Sequence, residues 1–360
     1  MKKKIKVVVS GVGNRALPKD PDRADWYGWI ELISKSDGFE LVALHDPSDI
    51  SLKRAIDRGY VAPKDAYTDL DQMLTSTSCD AILVSNPAKH HAVTIQKALE
   101  HNLHILVEKP FVTDIGKGKQ IVEAIEEKGL VSCVIQNWRY KDVGRAICAV
   151  LKEGFLGRIG HVFFRYVRNR ENPKYPPYIF EEDYPLLYAM GIHHLDLFRY
   201  ILNDEVAKVT GHAFKPPWSM YKSETSVNLF IETEGGIPIV YTGSISSKNG
   251  GLFQEDLLIE GEKGSLVNES QWLEPPLWFY PEGSKDKIEL TAKIANKSIR
   301  QQYDISDQYI LEKFYRSIVF GEEQICSARN GLMSVCAVEA SRLACETGDT
   351  ILISEVLNEF

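Results

Sequence analysis

Along the first 140 residues, short apolar runs alternate with longer stretches in which apolar side chains recur every three or four positions. Ile5–Ser10, Glu40–His45, Ala81–Ser85, His104–Val107 and Val131–Gln136 are four to six residues long and rich in β-branched side chains. Runs that are apolar on both faces predict buried parallel strands. Between them, helical spacing predicts helices over Trp26–Ser36, Leu52–Gly59, Leu70–Thr75, His91–Asn102 and Asp114–Lys128. In the last of these, Ile115, Ile121, Val122 and Ile125 form one stripe. Strand and helix in alternation predict a doubly wound α/β sheet.

Beyond about residue 155 the pattern changes to period two. His161–Val167 reads as a half-alternating strand. Val227, Leu229 and Ile231, then Ile237, Ile239 and Tyr241, flank Glu234-Gly235-Gly236 and predict a hairpin with one packed face. Leu257–Ile259 and Ser265–Val267 around Gly261–Gly264 predict a second hairpin, and helical spacing covers Tyr184–Leu202, Asp307–Phe320 and Gly331–Thr347. We therefore expect two domains, a doubly wound parallel sheet over 1–140 and an α+β domain with a mostly antiparallel open sheet over 141–360. A length of 360 residues agrees, at about 150 residues per domain.

Composition then narrows the functional classes. The chain carries 42 basic and 50 acidic side chains, a formal charge of −8, with no Lys/Arg stripe, so nucleic acid is not an expected partner. No apolar run approaches the ~18–20 residues of a membrane span. Met1-Lys-Lys-Lys resembles the start of a signal peptide, but Ile5–Ser10 is too short for its apolar region, so we expect a cytoplasmic protein. The six cysteines are scattered without a C-x-x-C pair; they read as reduced, buried thiols, and no metal site is expected.

The first strand runs into Gly11-Val-Gly13-Asn14-Arg15-Ala16, a G-x-G-x-x-A pattern. In a dinucleotide site the first glycine permits the tight turn, the second lets backbone approach a pyrophosphate, and the small third residue lets helix pack on strand. The second strand ends at Asp46, whose carboxylate could accept the ribose hydroxyls of NAD and repel a 2′-phosphate; a turn aspartate before Pro47 is the alternative. Ala16 and Asp46 are 30 residues apart, beyond the ~20 of the fingerprint. The excess, Leu17–Asp25, predicts a helix start near Asp25 and an acidic loop that Arg15, Lys19 or Arg23 would have to compensate.

Ser85-Asn86-Pro87, His90-His91, Val107-Glu108-Lys109-Pro110, Gln136-Asn137-Trp138-Arg139-Tyr140, Leu156–Gly160, Gly191-Ile-His193-His194-Leu-Asp196, Glu260–Leu266 and Glu339–Ala344 follow in order. Over essentially its whole length the chain resembles the glucose–fructose oxidoreductase/inositol dehydrogenase/MocA family of sugar dehydrogenases. The resemblance implies an N-terminal Rossmann domain that binds NAD (Asp46 favours it over NADP) and a C-terminal domain for substrate and oligomerisation. It implies Lys109 and His193 as catalytic residues. Cofactor contacts are then expected from Gly11, Gly13, Asn14, Arg15, Asp46, Ser85, Asn86, Pro87, His90, Glu108, Lys109 and Asn137. Substrate contacts are expected from Arg139, Tyr140, Tyr188 and His194, with packing as the alternative for each. Arg168, Arg170, Lys174 and the tyrosines of the loop 168–184 suit a carboxylated or phosphorylated ligand, or simply a solvated surface.

Many of the family's dehydrogenases carry an aspartate four residues before the histidine; here that position is Ala189, after Tyr188. The leading expectation is an NAD(P)-dependent oxidoreductase of a sugar, polyol or related hydroxy compound, working as a homodimer or homotetramer through the C-terminal sheet. The alternative is a non-catalytic NAD- or sugar-binding sensor or regulator, which Ala189 favours.

Overall fold

The computed structural model describes residues 4–20, 27–248, 253–291 and 299–359, with backbone only for 299–305. The chain runs β1 (Ile5–Ser10), α1 (Trp29–Lys35), β2 (Phe39–His45), α2 (Asp49–Asp57), β3 (Ala66–Tyr67), α3 (Leu70–Ser76), β4 (Ala81–Val84), α4 (His91–Glu100), β5 (His104–Glu108), α5 (Ile115–Glu127) and β6 (Ser132–Ile135). It continues through α6 (Asp142–Lys152), β7 (Ile159–Arg168), α7 (Ile192–Leu202), β8 (Val206–Phe214), β9 (Ser226–Thr233), β10 (Pro238–Ser244), β11 (Phe253–Gly261), β12 (Gly264–Asn268), β13 (Trp278–Pro281) and β14 (Ile288–Glu289). It ends with α8 (Ile299–Phe320), α9 (Ala328–Thr347), β15 (Ile351–Leu352) and α10 (Ile353–Glu359).

Two compact units result, Met1–Tyr140 with Ser298–Val335, and Lys141–Lys297 with Cys336–Phe360. The first is built on a parallel sheet of order β3-β2-β1-β4-β5-β6. Every residue of β4 and β6 is buried, as strands covered by helices on both faces require. Asp69 and Asp114 cap α3 and α5, accepting from the amides of Gln72 (2.8 Å) and Lys117 (2.9 Å). The sheet order reverses between β1 and β4, and there the carboxyl ends of the strands open a ligand crevice in this class of fold.

The segment 298–335, expected in the second domain, packs with the first instead. Phe314 stacks on Phe39 at 6.3 Å and Tyr315 meets it edge-on at 5.9 Å. A Cβ at Gly331 would stand 2.6 Å from the Val134 side chain, so glycine lets α9 lie against β6.

The second unit holds a nine-stranded sheet of order β14-β13-β12-β11-β7-β10-β9-β8-β15, antiparallel except for the β7–β10 pair. The predicted hairpins are β9–β10 and β11–β12. Val162, Phe164 and Tyr166 of β7, Leu229 and Ile231 of β9, and Tyr241 of β10 are buried on one face. Phe198 and His194 of α7 pack on it, with Phe198 edge-on to Phe164 at 5.4 Å. The opposite face carries Val267, Leu258, Phe163, Val240 and Phe230 in register across five strands. Phe163 and Phe230 are 43% and 66% exposed.

No helix among the described residues is long and apolar enough to cross a membrane. None of the six cysteines forms a disulfide, and four of them are buried.

Candidate functional site

At the end of β1 the chain turns through Gly11, whose φ is +96° and whose amide donates to the His45 carbonyl at the end of β2 (2.8 Å). A Cβ there would lie 2.4 Å from the Asn86 amide nitrogen and 2.5 Å from the Ser85 carbonyl carbon. Only glycine lets this turn touch the turn after β4. Gly13 is exposed, and a Cβ built on it meets nothing within 4 Å. It thus leaves bare backbone facing open space. Asp46 braces the same turn: Oδ2 accepts from the Val12 amide (2.7 Å) and Oδ1 from the Ser48 amide (2.9 Å). Each oxygen retains acceptor capacity for a further hydroxyl. Asp46 is thus a turn aspartate and sits beside the glycine turn as well.

The long spacer after Ala16 leaves the helix and returns to it. Trp29 and Ile30 donate their amides to the carbonyls of Arg15 (3.4 Å) and Ala16 (3.1 Å), and a Cβ at Gly28 would come 2.4 Å from the Ala16 oxygen. Arg54 holds the departing chain at the carbonyls of Val12 (2.7 Å) and Leu17 (3.2 Å); Arg58 does so at Pro18 (2.8 Å) and Lys19 (3.0 Å). Asn14 is exposed, with Oδ1 accepting from the Lys19 amide at 3.0 Å. Arg23 and the expected helix start near Asp25 lie outside the described residues; α1 itself begins at Trp29.

Ser85, Asn86 and Pro87 follow β4; Glu108 ends β5, with half-buried Lys109 joined to Pro110 by a cis peptide; Asn137 follows β6. Buried polar atoms without hydrogen-bond partners gather after β4 and β6. They are Ser85 Oγ, Asn86 Oδ1, Asn137 Oδ1 and both amide atoms of Gln136. Their clustering marks places where a bound polar molecule would complete the hydrogen bonding. His90 is exposed, whereas the neighbouring His91 is buried and ties two turns together, with Nδ1 2.8 Å from the Pro110 carbonyl and Nε2 2.9 Å from that of Asn86. The tandem histidines were visible in the sequence; their phase at the start of α4 was not.

Four residues expected at a ligand are engaged by other parts of the protein. Arg15 Nε pairs with Glu108 Oε1 (3.0 Å) and its Nη2 with buried Asp307 (2.6 Å), while the guanidinium lies 4.7 Å over the Trp29 ring. Trp29 Nε1 donates to the same Glu108 oxygen at 2.8 Å. Arg15 and Glu108, both expected at the cofactor, are therefore engaged with each other and with α8. Arg139 is buried, its Nη1 donating to the Ile325 carbonyl at 2.9 Å. Tyr140 is fully buried, with its hydroxyl 3.5 Å from Cys133 Sγ and its ring edge-on to Tyr309 at 6.0 Å. Burial pushes the Tyr140 phenol well above its ordinary range. Both side chains are packed inside the first unit.

In the second unit, His193 and His194 begin α7, directly after a π-helical turn over Leu187–Gly191. Such turns add a residue to the helix and recur at functional sites. His193 is 8% exposed. His194 is wholly buried, its ring 4.7 Å from Phe164 and 4.8 Å from Tyr166, with Nδ1 2.9 Å from the Tyr241 hydroxyl. Packing, rather than exposure to a substrate, describes His194. Tyr188 lies on the π-helical turn, 40% exposed, and donates its hydroxyl to Glu339 Oε2 (2.9 Å), while Glu339 Oε1 pairs with Arg342 (2.6 Å). Burial and then Glu339 push its phenol upward. Asp196 and Arg199 form a buried pair at 3.6 Å, and Arg199 also binds Glu205.

A cavity of about 500 Å³ lined by Tyr27, Phe39, Leu311 and Tyr315 begins at the amino-terminal end of β2, away from the glycine turn, and takes no part in this site. Bare backbone at Gly13, the braced Asp46 carboxylate and unpartnered polar atoms at two strand ends together fit a dinucleotide.

Comparison with known proteins agrees. Residues 6–136 match the family model described as an oxidoreductase family with an NAD-binding Rossmann fold, and residues 145–267 match the GFO/IDH/MocA C-terminal domain. A D-apiose dehydrogenase from Paraburkholderia graminis is 24% identical over 323 residues, covering 88% of this chain and 83% of that one. The scyllo-inositol 2-dehydrogenase (NAD(+)) of Bacillus subtilis is 24% identical over 281 residues, 74% of each. Among solved structures, an oxidoreductase from Agrobacterium radiobacter in complex with NAD+, L-tartaric acid and magnesium aligns with a TM-score of 0.84 at 19% identity, over 99% of this chain and 100% of that one.

Proposed function

We propose that this chain, which belongs to the GFO/IDH/MocA oxidoreductase family, is an NAD-dependent dehydrogenase that oxidises a secondary hydroxyl of a sugar, polyol or related compound. The observation that carries the reading is the turn at Gly11–Gly13, where one glycine is required by contact with the β4 turn and the other leaves open space above bare backbone. NAD supplies the hydride acceptor; the protein supplies position and charge. Asp46 would hold the adenosine ribose hydroxyls, and Ser85, Asn86 and Asn137 would meet polar groups of the cofactor. Lys109 would place an ammonium beside the substrate oxygen, stabilising negative charge as the hydroxyl proton leaves. His193 would take that proton, a role suited to an imidazole near neutral pH. Relatives that act on D-apiose and scyllo-inositol support a polyhydroxylated substrate.

The test pairs binding with turnover. NADH formation is followed at 340 nm over a panel of polyols, aldoses and their acids, for the native chain, Lys109→Met and His193→Gln. The variants should bind NADH normally while kcat falls about 10²–10⁴-fold. Tight NADH binding without turnover on any compound, unchanged in Lys109→Met, would support the sensor reading instead. Ala189 is the observation behind that second reading, since a methyl group can neither relay a proton nor orient a lysine.

For assembly, we propose that the outward face of the nine-stranded sheet joins a second copy of the chain. Its support is the ladder Val267, Leu258, Phe163, Val240 and Phe230, a continuous apolar row with two largely exposed phenylalanines. Light scattering should return a dimer or tetramer, and Phe230→Glu should shift it towards the monomer.

A further inference from the structure

The inward face of β7, which supports His194 through Phe164 and Tyr166, continues to Arg168, with Arg170 beyond it. Among the described residues neither guanidinium has a carboxylate within ion-pair distance. The acids nearby are otherwise engaged or set back. Glu171 accepts from the hydroxyls of Ser219 and Ser246, both at 2.6 Å. Glu182 feels Arg170 only through space, and its carboxyl is raised chiefly by burial. Glu255 lies across the ladder from Tyr166 and gives both oxygens to backbone amides, those of Trp272 (3.1 Å) and Leu273 (2.7 Å).

Those two amides belong to an unusual shelf. Trp272 and Leu273 both adopt left-handed backbone, with φ of 61° and 53°. Such a pair persists only where its surroundings fix it. Here Glu255 holds the two amides, and Lys141 donates its ammonium to the Trp272 carbonyl. The shelf presents the Trp272 indole to Arg168, whose guanidinium carbon sits 4.7 Å over that ring and 5.0 Å over Phe253. The two rings thus hold the guanidinium in place without neutralising its charge. Beside it the hydroxyl of Tyr166, a residue with no exposed surface, has no hydrogen-bond partner. Burial raises that phenol, while the neighbouring guanidinium groups of Arg170 and Arg168 pull it the other way.

We propose that Arg168, aided by Arg170 and the Tyr166 hydroxyl, receives the carboxylate of an acidic polyhydroxylated substrate, an aldonic or uronic acid rather than a neutral sugar. This rests on the dehydrogenase reading and narrows its substrate class. A guanidinium set against two rings offers the two parallel N–H donors that a planar carboxylate accepts, and the unpartnered phenol supplies a third.

The experiment measures binding by calorimetry to the NADH-loaded chain, with NAD+ turnover in parallel, for matched pairs such as D-glucuronate and D-glucose, or D-galactonate and galactitol. Glucose 6-phosphate tests the other common oxyanion. The acid of at least one pair should bind about ten-fold or more tightly than its neutral partner. Arg168→Gln should abolish that preference with NADH affinity unchanged, and Arg168→Lys should restore only part of it. Arg170→Gln, with a smaller loss, serves should the first variant unfold. Equal or tighter binding of the neutral partners, preference for the phosphate, no binding of any acid, or an acid preference that survives in both glutamine variants overturns the proposal. Turnover of neutral sugars alone would leave the dehydrogenase standing without the carboxylate site. Arg168-dependent binding of an acid without NADH formation on any compound would do the reverse.

Discussion

Gly11 and Gly13 make opposite demands, and substituting each with alanine separates the fold from the site. At position 11 the new Cβ would press within 2.4–2.7 Å of backbone atoms of Ser85 and Asn86, at a φ of +96°. The left-handed backbone costs about 1–2 kcal/mol and overpacking about 1–3 more. Gly11→Ala should therefore lose roughly 2–5 kcal/mol, a large fraction of a typical ~5–15 kcal/mol. At position 13 the methyl group meets nothing and the backbone is not left-handed. Gly13→Ala should be as stable as the native chain, or up to about 1 kcal/mol more so, because alanine restricts the unfolded state. A pyrophosphate lying on that backbone would meet the methyl, however, and a clash of about 1–3 kcal/mol weakens binding roughly 5- to 150-fold. Thermal unfolding of the unliganded variants and NADH fluorescence titration read the two effects separately. Native-like NADH affinity in a folded Gly13→Ala would refute the assignment of this turn to the pyrophosphate, and an undisturbed Gly11→Ala would refute the contact argument.

Other expectations follow from single groups. Asp46→Ser keeps a short acceptor near the Val12 and Ser48 amides but removes the charge; the ratio of NADPH to NADH dissociation constants should fall by about ten-fold, and an unchanged ratio would clear Asp46 of cofactor choice. Arg15→Met should destabilise by about 3–5 kcal/mol in urea, because it strands Glu108 and the buried Asp307; adding Asp307→Asn should recover much of that. Burial raises the Glu255 carboxyl from 4.5 to about 7, against the opposing pull of Lys141 and the two backbone amides. A raised acid contributes stability that is fully present below pH 4.5 and is lost as pH climbs through 7, at about 1.4 kcal/mol per unit and about 3 kcal/mol in all. Glu255→Gln should flatten that part of the urea-stability profile, and an identical slope would count against it.

The parallel sheet was legible because burial on both faces leaves unbroken apolar runs, as in Ala81–Val84, and because Gly11-x-Gly13 punctuates the first of them. The two-residue β3 left no such run, and α6 escaped the reading although its Val143, Ile147 and Cys148 are buried. The return of 298–335 to the first unit depends on distant pairings such as Phe39 with Phe314, which local periodicity does not encode. At the site, residue types pointed to the strand ends but not to the direction of each side chain. Arg139 and Tyr140 follow Asn137 by two and three residues, yet they turn into the core, and His91 rather than His90 joins the turns. The π-helical turn ahead of His193 changes which residue lies one turn below the imidazole, so the count of four that singled out Ala189 in the sequence is a count along an ordinary helix.

A crystal structure of the chain soaked with NAD+ decides whether a dinucleotide lies on the glycine turn. It should show the pyrophosphate against the backbone of Gly11–Gly13, the adenosine ribose hydroxyls on the Asp46 carboxylate, and the nicotinamide ring beside the Lys109 ammonium. A nucleotide bound elsewhere, or one whose nicotinamide faces away from Lys109, would contradict it.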